Sequence, residues 1–540
     1  MENKDKTQNT YDYIVIGTGT AGSVLAKKLT DDLKTSLLSI EAGDNNSKER
    51  PIRDSRFAPP FILRDNFSPE YYWPGKGTPQ KSVQNRSFEW TGGRTLGGSS
   101  SVNNEQYVRP TDLNIKQWED SLGPLWSPKR KNYLFTKLEK YNGGSHNPEA
   151  RGYQGRLDIR QTPVKPTTMV EKIIKAMERA TGIKRILDYN DPNTPIGPFT
   201  RWQLYQMPNG IRESADTAFL TRDVVNEDGL GVKGRKLTIS YKSTVRRIIF
   251  DENKRARGVE YVKEGRAKVA YARKKVILSA GIKSPELLML SGIGPEKLLK
   301  KAKIPLLVAN NNVGKHLTTH AANMASFQVN KKDRFRPAKD PNALYVSGAF
   351  LPDPRKGPES KKRFVQIFGQ PNDEGNLSIG FYLTEPKSKG RVSIQNNDPL
   401  KLVLANEGFL SHPEDLESIK QVFKVYLRKI AKELSKIDHE YKLLSPSFDV
   451  IQDDKKLEAF IKENLQATHH IQGTARMATS PKDGVVNGKG EVYGVHDLII
   501  ADDSIAPFVS DGNTSAPAYF IGANIAEILL DQTKNKGGKA

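Results

Sequence analysis

A short glycine pattern near the N-terminus constrains the fold more than any other feature of this chain. An apolar strand at 13–16 runs directly into the pattern Gly-x-Gly-x-x-Gly, and a helical pattern follows it. The first glycine permits a tight turn, the second lets backbone approach a pyrophosphate, and the third lets the helix pack on the strand. The helix N-terminus would then face the phosphates with its free N–H groups. The predicted contacts in this loop are Gly17, Gly19, Thr20, Ala21 and Gly22.

A carboxylate lies where this motif predicts one. Glu41 ends a second apolar strand at 37–40, about 20 residues after the last glycine. A carboxylate at this place accepts hydrogen bonds from ribose hydroxyls and repels a 2′-phosphate. The chain therefore begins with a unit that is typical of binding an adenine dinucleotide, and the motif alone leaves FAD and NAD open.

Composition excludes several classes of protein. The 540 residues contain no cysteine, so thiolate metal sites and a dithiol redox centre are excluded, and redox chemistry requires a bound cofactor. The sequence has no run of about 18 apolar residues, so we expect no membrane span. The polar N-terminus lacks a signal-peptide pattern, which favours a cytoplasmic or other intracellular location.

The chain is strongly basic, with 84 Lys and Arg against 62 Asp and Glu and a net charge of +22. The basic residues are spread along the chain, which is typical of a solvated surface. No nucleic-acid fold signature accompanies them, so we predict no specific nucleic-acid partner, and weak polyanion binding is the alternative. The sequence leaves the oligomeric state open.

The remaining pattern predicts an α/β fold (α+β overall) with two domains. Short strands at meander spacing run from 237 to 280, and a strand-then-helix pattern returns near the C-terminus. With the glycine-rich unit they would form a Rossmann-like domain assembled from discontinuous segments. Further strands between 325 and 394 and a helix at 413–436 predict an inserted, mainly antiparallel sheet flanked by helices. The predicted boundaries are 1–110, 210–322 and 460–532 for the dinucleotide domain, 111–209 and 323–459 for the substrate domain, and 533–540 for a disordered tail.

Four further stretches carry residues suited to a cofactor site. A glycine- and serine-rich loop runs from 93 to 103, and a strand end, a turn and a helix occupy 279–295. His470 precedes a glycine turn, and an aspartate pair at 502–503 is followed by Gly-Asn-Thr at 512–514. The hydroxyls and backbone of the first stretch can bond to phosphates and to a polar ring edge.

In this order and spacing, the motifs resemble the glucose–methanol–choline (GMC) flavoprotein oxidoreductases along essentially the whole chain. The resemblance implies FAD at the N-terminal motif, with electrons passed to oxygen or to a quinone-like acceptor. Val245 would contact the adenine through its backbone. Val102 stands where some members carry a histidine bonded to the flavin, so we expect FAD to be non-covalent. The other residues implied to contact the cofactor are Arg94, Gly98, Ser99, Ser100, Asn103, Asp502, Asp503, Asn513 and Thr514.

The resemblance also places His470 and Asn513 over the reactive ring of the flavin. Oxidation of an alcohol removes the hydroxyl proton and transfers a hydride to flavin N5, and an imidazole with a near-neutral pKa suits the base. A neutral amide beside it can donate a hydrogen bond to the developing alkoxide. The predicted function is FAD-dependent oxidation of the CH–OH group of an alcohol.

The identity of the substrate is less constrained. Apolar and aromatic residues in the inserted domain favour an aromatic or other primary alcohol over a sugar. The same fold also hosts FAD-containing lyases that cleave cyanohydrins without redox chemistry, and a basic scaffold with vestigial catalysis is a third class. The aromatic residues in question are Tyr345, Phe350, Phe364, Phe368 and Phe381.

Two histidine patterns have alternative interpretations. His316 and His320 would be a metal pair only in a helix, and the resemblance makes them a packing feature, so no metal site is predicted. His469 is next to His470 and points away from it on a regular backbone, so it is interpreted as structural. Asn513 also fits a helix cap.

Overall fold

Two large sheets organise the molecule, one mainly parallel and one antiparallel. The computed structural model describes residues 9–54, 69–162, 167–334, 347–372, 375–401 and 403–537. The strands are β1 (Thr10–Ile16), β2 (Leu37–Ile40), β3 (Tyr72–Gly77), β4 (Trp90–Gly93), β5 (Glu139–Asn142), β6 (Leu157–Gln161), β7 (Gly197–Phe199), β8 (Gln203–Leu204), β9 (Leu237–Ser240), β10 (Ser243–Phe250), β11 (Ala256–Lys263), β12 (Arg266–Leu278), β13 (Ile293–Gly294), β14 (Val308–Ala309), β15 (Lys315–Leu317), β16 (Ala321–Gln328), β17 (Ser347–Leu351), β18 (Val365–Pro371), β19 (Leu377–Leu383), β20 (Gly390–Ser393), β21 (Leu404–Asn406), β22 (Lys442–Ser445), β23 (Gln466–Ala467) and β24 (Leu498–Ile500).

The helices cover both sheets. Among the residues described, no helix combines the length and the apolar character that a membrane crossing needs. They are α1 (Thr20–Leu29), α2 (Arg50–Arg53), α3 (Asp112–Leu122), α4 (Pro128–Leu138), α5 (Thr168–Thr181), α6 (Ala215–Phe219), α7 (Ser284–Leu290), α8 (Glu296–Lys301), α9 (Pro413–Gln421), a π-helical segment (Val422–Leu427), α10 (Arg428–Ile437), α11 (Phe448–Gln452), α12 (Asp454–Asn464) and α13 (Ser515–Gly537).

The first sheet is built from segments that are far apart in sequence. Its parallel strands follow the order β9-β2-β1-β12-β24, and β10 and β11 form an antiparallel meander beside β12. This is a doubly wound order, in which a ligand lies at the carboxyl ends of the strands where the order reverses. Here that point lies between β1 and β12. The predicted Rossmann-like fold class is confirmed.

One strand of this sheet differs from the prediction. The sequence predicts separate strands at 268–272 and 274–280, whereas β12 is a single strand. Its first half pairs antiparallel with β11, and its second half pairs parallel with β1 and β24. Because the partners change along β12, its pattern of buried and exposed residues changes too, and the sequence shows that change as a break.

The second sheet is antiparallel, with the order β22-β16-β19-β18-β17-β7 and β23 beside β16. One face packs on α5, α9, α10 and α12 in an apolar core. The opposite face carries Phe350, Phe368 and Tyr382 and reaches the C-terminal segment at Asn513. Both faces are covered, so β17, β18 and β19 are buried almost throughout and do not alternate.

Two segments lie elsewhere than the sequence predicts. The strand predicted at 390–394 is β20, which belongs to a separate sheet of order β15-β20-β21-β3-β4. The helices α3 and α4 fall within the predicted substrate domain, yet Trp126 and Phe135 pack on Phe520 of α13 in the core of the parallel sheet. In packing terms, residues 112–138 therefore go with the dinucleotide domain.

The C-terminal tail is also more ordered than predicted. The helix α13 continues to Gly537, so residues 533–537 of the predicted disordered tail are helical. Thr533 Oγ1 donates to the carbonyl of Leu529 at 3.0 Å, which continues the helical turn. Residues 538–540 lie outside the described part of the chain.

Candidate active site

The predicted dinucleotide turn lies where the strand order of the parallel sheet reverses. Gly17 follows β1 with a φ of +97°, and a Cβ there would lie 2.5 Å from the carbonyl oxygen of Ser279, just after β12. A Cβ at Gly22 would lie 2.1 Å from the carbonyl oxygen of Gly17. Both positions therefore require glycine, the first for the turn and the second for the close approach of α1.

The N-terminus of α1 is open toward this turn. Gly19 precedes the helix, and no side chain caps the first N–H groups. The helix begins at Thr20, and Ala21 packs on α13, where a Cβ at Gly522 would lie 2.7 Å from the Ala21 Cα. Uncapped N–H groups at a helix N-terminus suit the phosphates of a dinucleotide.

Glu41 is buried just after β2 and accepts three hydrogen bonds. Its Oε2 accepts from the N–H of Thr18 at 2.9 Å and from Thr18 Oγ1 at 2.7 Å, and its Oε1 accepts from the N–H of Gly43 at 2.8 Å. Burial raises the pKa of this carboxyl, while the hydrogen bonds and the charge of Arg94 oppose the rise. The carboxylate is thus held in one orientation by the fold itself.

Val245 lies close to Glu41 in the sheet. The strand β10 begins at Ser243, whose N–H donates to the carbonyl of Glu41 at 2.8 Å. Val245 is the third residue of that strand and is buried. The two residues predicted to contact the adenosine therefore lie on neighbouring segments.

The glycine- and serine-rich loop lies against the dinucleotide turn. Gly98 has a φ of +56°, and a Cβ there would lie 2.6 Å from the Cα of Gly19, so two backbones meet at the predicted phosphate site. Ser99 Oγ accepts from an N–H of the same loop at 3.0 Å, and Ser100 Oγ donates to a loop carbonyl at 2.6 Å. The two hydroxyls therefore stabilise the loop.

Two arginines stand at this loop, one within it and one bonded to it. Arg94 lies over the ring of Trp73 at 5.0 Å, and its buried Nε has no hydrogen-bond partner among the described residues. Asn103 accepts from Arg212 through its Oδ1 at 3.0 Å and through its carbonyl at 2.8 Å. Sequence reasoning missed Arg212, because nothing local to its segment marks it as the residue that anchors a loop from a distant part of the chain.

Asp502 and Asp503 have different surroundings. Asp502 accepts from the N–H of Gly281 at 3.0 Å, from Ser284 Oγ at 2.5 Å and from the N–H of Ser504 at 2.8 Å. Burial raises the pKa of both carboxyls. The Oδ1 of Asp503 is buried without a close hydrogen-bond partner in the described chain, and a side-chain contact with Gln472 opposes the rise in the pKa of Asp503.

These groups fit FAD. An uncapped helix N-terminus and an unpaired guanidinium nitrogen suit the pyrophosphate, and an unpaired carboxylate oxygen suits a ligand hydroxyl. Thr514 lies directly before α13, between Asn513 and the helix. The structure therefore places the dinucleotide turn, Glu41 and the Asp502–Asp503 pair just after the carboxyl ends of β1, β2 and β24.

The predicted catalytic pair is in direct contact. Asn513 Nδ2 lies 3.2 Å from His470 Nε2 and also donates to Gln106 Oε1 at 2.8 Å. Asn513 Oδ1 accepts from Gln366 Nε2 at 3.0 Å and from the hydroxyl of Tyr382 at 3.3 Å. Both the nitrogen and the oxygen of the Asn513 amide therefore bond to side chains of this cluster, and none of these bonds caps α13.

A second histidine, His320, contacts the pair from the other side. Its Nδ1 lies 2.8 Å from His470 Nδ1, and its Nε2 lies 3.0 Å from the carbonyl oxygen of Thr384 and 3.1 Å from that of Ser510. The His320 ring stacks on Tyr382 at 4.5 Å. The sequence interprets His320 as a packing feature, and the geometry adds it to the site.

The structure also locates His316 and His469, the two other histidines that the sequence singles out. His316 lies in β15 and not in a helix, and its Nε2 lies 3.1 Å from Asn312 Oδ1. His469 has a φ of +62°, which turns the backbone immediately before His470. No group of three or more His, Asp or Glu side chains among the described residues is arranged to hold a metal ion.

Two backbone carbonyls determine the direction of the hydrogen bonds in this network. A carbonyl oxygen only accepts, so His320 Nε2 carries a proton, and in the neutral ring its Nδ1 is an acceptor. His470 Nδ1 must then donate to His320, which leaves the lone pair of a neutral His470 on Nε2. That lone pair faces the N–H of Asn513, whose oxygen is already engaged by two donors.

Both imidazoles are held neutral. Burial lowers the pKa of His320 to about 4. Burial also lowers the pKa of His470 well below its ordinary value, and repulsion from His320 and His469 adds to the effect. A neutral His470 with its lone pair on Nε2 is chemically a base.

The described aromatic residues that favoured an aromatic substrate lie on different faces of the second sheet. Phe364 and Phe381 pack in the apolar core on the helix side of the second sheet. Phe350 is fully buried on the other face, and Phe368 has its ring 6.3 Å from that of Tyr382. Tyr345 lies outside the described residues. Of these side chains, only Phe368 is shown beside the network.

Comparison with known proteins places the chain in a family. A family model described as GMC oxidoreductase matches residues 11–322, and a second with the same description matches residues 386–522. The chain is 28% identical over 556 residues to an oxygen-dependent choline dehydrogenase of Sinorhizobium fredii, with 96% of this chain and 95% of that protein covered. It is 29% identical over 553 residues to an alcohol dehydrogenase (acceptor) of Pseudomonas putida, with 96% of each covered.

Solved structures share the fold. Pyridoxine 4-oxidase from Mesorbium loti matches with a TM-score of 0.84 and 23% identity over 96% of this chain and 99% of that chain. A fungal aryl-alcohol oxidase matches with a TM-score of 0.82 and 18% identity over 97% and 100%. The two family models together span most of the chain and include both ends of the site. This protein therefore belongs to the GMC oxidoreductase family, whose members are FAD-dependent enzymes that act on alcohols.

Proposed function

We propose that this enzyme oxidises the CH–OH group of a primary alcohol, with His470 Nε2 as the base that removes the hydroxyl proton. The observation that carries the proposal is the direction of the hydrogen-bond network, which leaves a lone pair on that nitrogen beside the N–H of Asn513. An alcohol oxygen that replaces the direct contact between these two groups gives its proton to His470 and accepts a hydrogen bond from Asn513 as its charge develops.

His320 acts on this step through His470. When His470 takes up the proton it becomes a cation, and its Nδ1–H donates to the neutral Nδ1 of His320. Hydrogen bonds from a charged donor are stronger than neutral ones, so this contact offsets part of the penalty that burial and repulsion place on the protonated base. His320 is therefore a positioning residue, because it contacts the base and not the substrate.

FAD, when bound, supplies the acceptor for the hydride that leaves the alcohol carbon. We propose that the dinucleotide domain holds it without a covalent bond, because the buried Val102 offers no nucleophilic atom. The substrate would lie between the catalytic pair and the face of the antiparallel sheet that carries Phe368 and Tyr382. The residues proposed to hold FAD are Gly17, Gly19, Thr20, Ala21, Gly22, Glu41, Arg94, Gly98, Ser99, Ser100, Asn103, Val245, Asp502, Asp503, Asn513 and Thr514.

Anaerobic stopped-flow mixing of the FAD-loaded enzyme with a panel of alcohols tests this proposal. We expect loss of the oxidised-flavin absorbance with at least one primary alcohol and formation of the aldehyde. Subsequent mixing with oxygen or with a quinone identifies the electron acceptor. Flavin that keeps its colour with every alcohol, together with release of cyanide from a cyanohydrin, would refute the oxidoreductase and support the lyase.

A further inference from the structure

Two glutamines hold Asn513, and each leaves one polar atom unpaired. Gln106 Oε1 accepts from Asn513 Nδ2 at 2.8 Å, and Gln366 Nε2 donates to Asn513 Oδ1 at 3.0 Å. The opposite atoms, Gln106 Nε2 and Gln366 Oε1, are buried and have no hydrogen-bond partner in the described part of the chain. The two residues are 7% and 0% exposed.

The hydrogen-bond network determines which free atom is the amide nitrogen and which is the amide oxygen. His320 is oriented by two carbonyls, and it orients His470 and then Asn513. A reversed Gln106 would set its NH₂ group against the NH₂ group of Asn513, and a reversed Gln366 would set oxygen against oxygen. The site therefore presents one free donor and one free acceptor.

Each free atom belongs to the same amide group as the glutamine atom that bonds to Asn513. Gln366 Oε1 lies beside the preceding residue, because a Cβ built at Gly512 would be 3.6 Å from it. Asn513 itself contacts the proposed base, His470. Native proteins give almost every buried polar atom a partner, so these two unpaired atoms beside Asn513 point to a ligand.

The charge of the site is the second observation. The side chains that bond to Asn513 are His470, Gln106, Gln366 and Tyr382, and all are uncharged. Among the described residues, no carboxylate bonds to His470 or His320. A quaternary ammonium group would find no carboxylate bonded to this network and would satisfy neither free amide atom, although the charge of Asp511 acts on His320.

We infer that the substrate is a neutral alcohol with a second hydroxyl close to the carbinol carbon. A hydroxyl is both a donor and an acceptor, so it suits the free donor of Gln106 and the free acceptor of Gln366 alike. The inference rests on the proposed oxidation at His470, and it separates this enzyme from choline, the substrate named for several relatives.

Two pairs of substrates test the inference in the wild-type holoenzyme. We expect kcat/KM for flavin reduction to be about tenfold to a hundredfold higher for propane-1,3-diol or ethane-1,2-diol than for the alkanol of equal length, since a site built for a hydroxyl discriminates against its absence. We expect 3,3-dimethylbutan-1-ol, the neutral counterpart of choline, to exceed choline by a similar factor of about ten. Equal values for diols and alkanols, or a preference for choline, would overturn the inference.

The substitution Gln106→Glu tests the residue. A glutamate keeps an oxygen that accepts from Asn513 and replaces the free NH₂ donor by a negative oxygen. We expect the diol preference to fall by about tenfold and the choline preference to rise by about tenfold, while the FAD absorbance of the purified protein is retained. Gln370→Glu is the control, because it adds the same charge on β18, the strand of Gln366, at a side chain whose Oε1 is likewise buried and unpaired in the described chain. No hydrogen bond joins Gln370 to Asn513 or His470 within the described residues.

The outcomes separate the two proposals. If no alcohol reduces the flavin, the proposed function fails and the inference fails with it. If simple alkanols reduce the flavin and a second hydroxyl brings no advantage, the inference alone is overturned, and water is the partner of the two glutamines. The same conclusion follows if Gln106→Glu and Gln370→Glu give equal preferences.

Discussion

The two ends of the cofactor site are built in different ways. The phosphate end is made of backbone, where Gly17 and Gly22 approach other main-chain atoms so closely that a Cβ would clash. The reactive end is made of side chains, and Gln106 and Asn513, which bond there, are 407 positions apart in the chain. A backbone site depends on a short local motif, whereas a side-chain network depends on the whole fold.

This difference separates the effects of substitution. Changes at the phosphate end should alter how tightly FAD is held, and changes at the reactive end should alter the rate of flavin reduction with FAD retained. The predictions below test that separation, beginning with the largest expected effect.

Replacing the base should give the largest effect. We expect His470→Ala to slow flavin reduction by about two to four orders of magnitude, the scale for loss of a positioned base, with normal FAD content. Stopped-flow reduction by a saturating alcohol measures it. His146→Ala, at an exposed histidine, is the control. A change below about threefold would rule out His470 as the base.

Removing the positioning histidine should have the next largest effect. We expect His320→Ala to slow flavin reduction by about a hundredfold, the cost of a misplaced catalytic group, without loss of FAD. The ¹⁵N spectrum of histidine-labelled enzyme gives an independent measurement, since the eight histidines can be assigned by substitution. The Nδ1–H form of His470 should be present in the wild type. The Nε2–H form there would contradict the proposed network.

Substitution of a glycine should act at the phosphate end of the proposed cofactor site. In Gly22→Ala the new Cβ lies 2.1 Å from the carbonyl oxygen of Gly17, so we expect about tenfold to a hundredfold weaker FAD binding and a lower Tm of the apoprotein. In Gly19→Ala the nearest atom is 3.9 Å away, so the apoprotein Tm should be unchanged while FAD binding weakens. Equal Tm changes in both variants would contradict the separate roles.

Removing the carboxylate of Glu41, which is predicted to bind the adenosine ribose, should have a smaller effect. We expect Glu41→Ala to weaken FAD binding by about tenfold, the value of one or two charged hydrogen bonds, with the rate of flavin reduction unchanged at saturating FAD. Titration of the apoprotein with FAD measures the Kd. Unchanged flavin occupancy on purification would count against the ribose assignment.

The pH dependence should be the weakest effect near neutrality. A base acts in its unprotonated form, and burial holds the pKa of His470 well below 6.5. The rate of flavin reduction should therefore stay level as the pH falls from 8 through 6.5 and decline only at lower pH. A half-maximal rate at pH 6.5 would show an ordinary histidine and contradict the buried network.

The sequence predicted those parts of the fold that depend on local pattern. The strands β1 and β2 with the helix α1 between them are apolar runs around a glycine turn, and all three form as expected. The strand β18 also forms where the sequence predicts one. The prediction failed where a strand changes partners, as in β12, which the sequence divides in two. The pattern of apolar residues does not encode that change of partner.

The candidate site divides in the same way. The motif containing His470 was recognisable in sequence, and its resemblance to a flavoprotein family singled out Asn513. The resemblance made His320 a packing feature, and the contact with His470 was not predicted, because the partners that orient His320 are carbonyls of distant segments. Gln106 and Gln366 carried no signal, since a glutamine has no distinctive pattern until its neighbours are known.

The sequence by itself determined that this chain binds a dinucleotide and belongs to the GMC oxidoreductases, because glycine at a tight turn is a local steric requirement that residues nearby express. Only the tertiary structure decided which nitrogen of His470 holds the lone pair and which glutamine atoms have no partner among the described residues. Donor and acceptor roles are set by partners, and the partners of His470 come from segments that only the folded chain brings together.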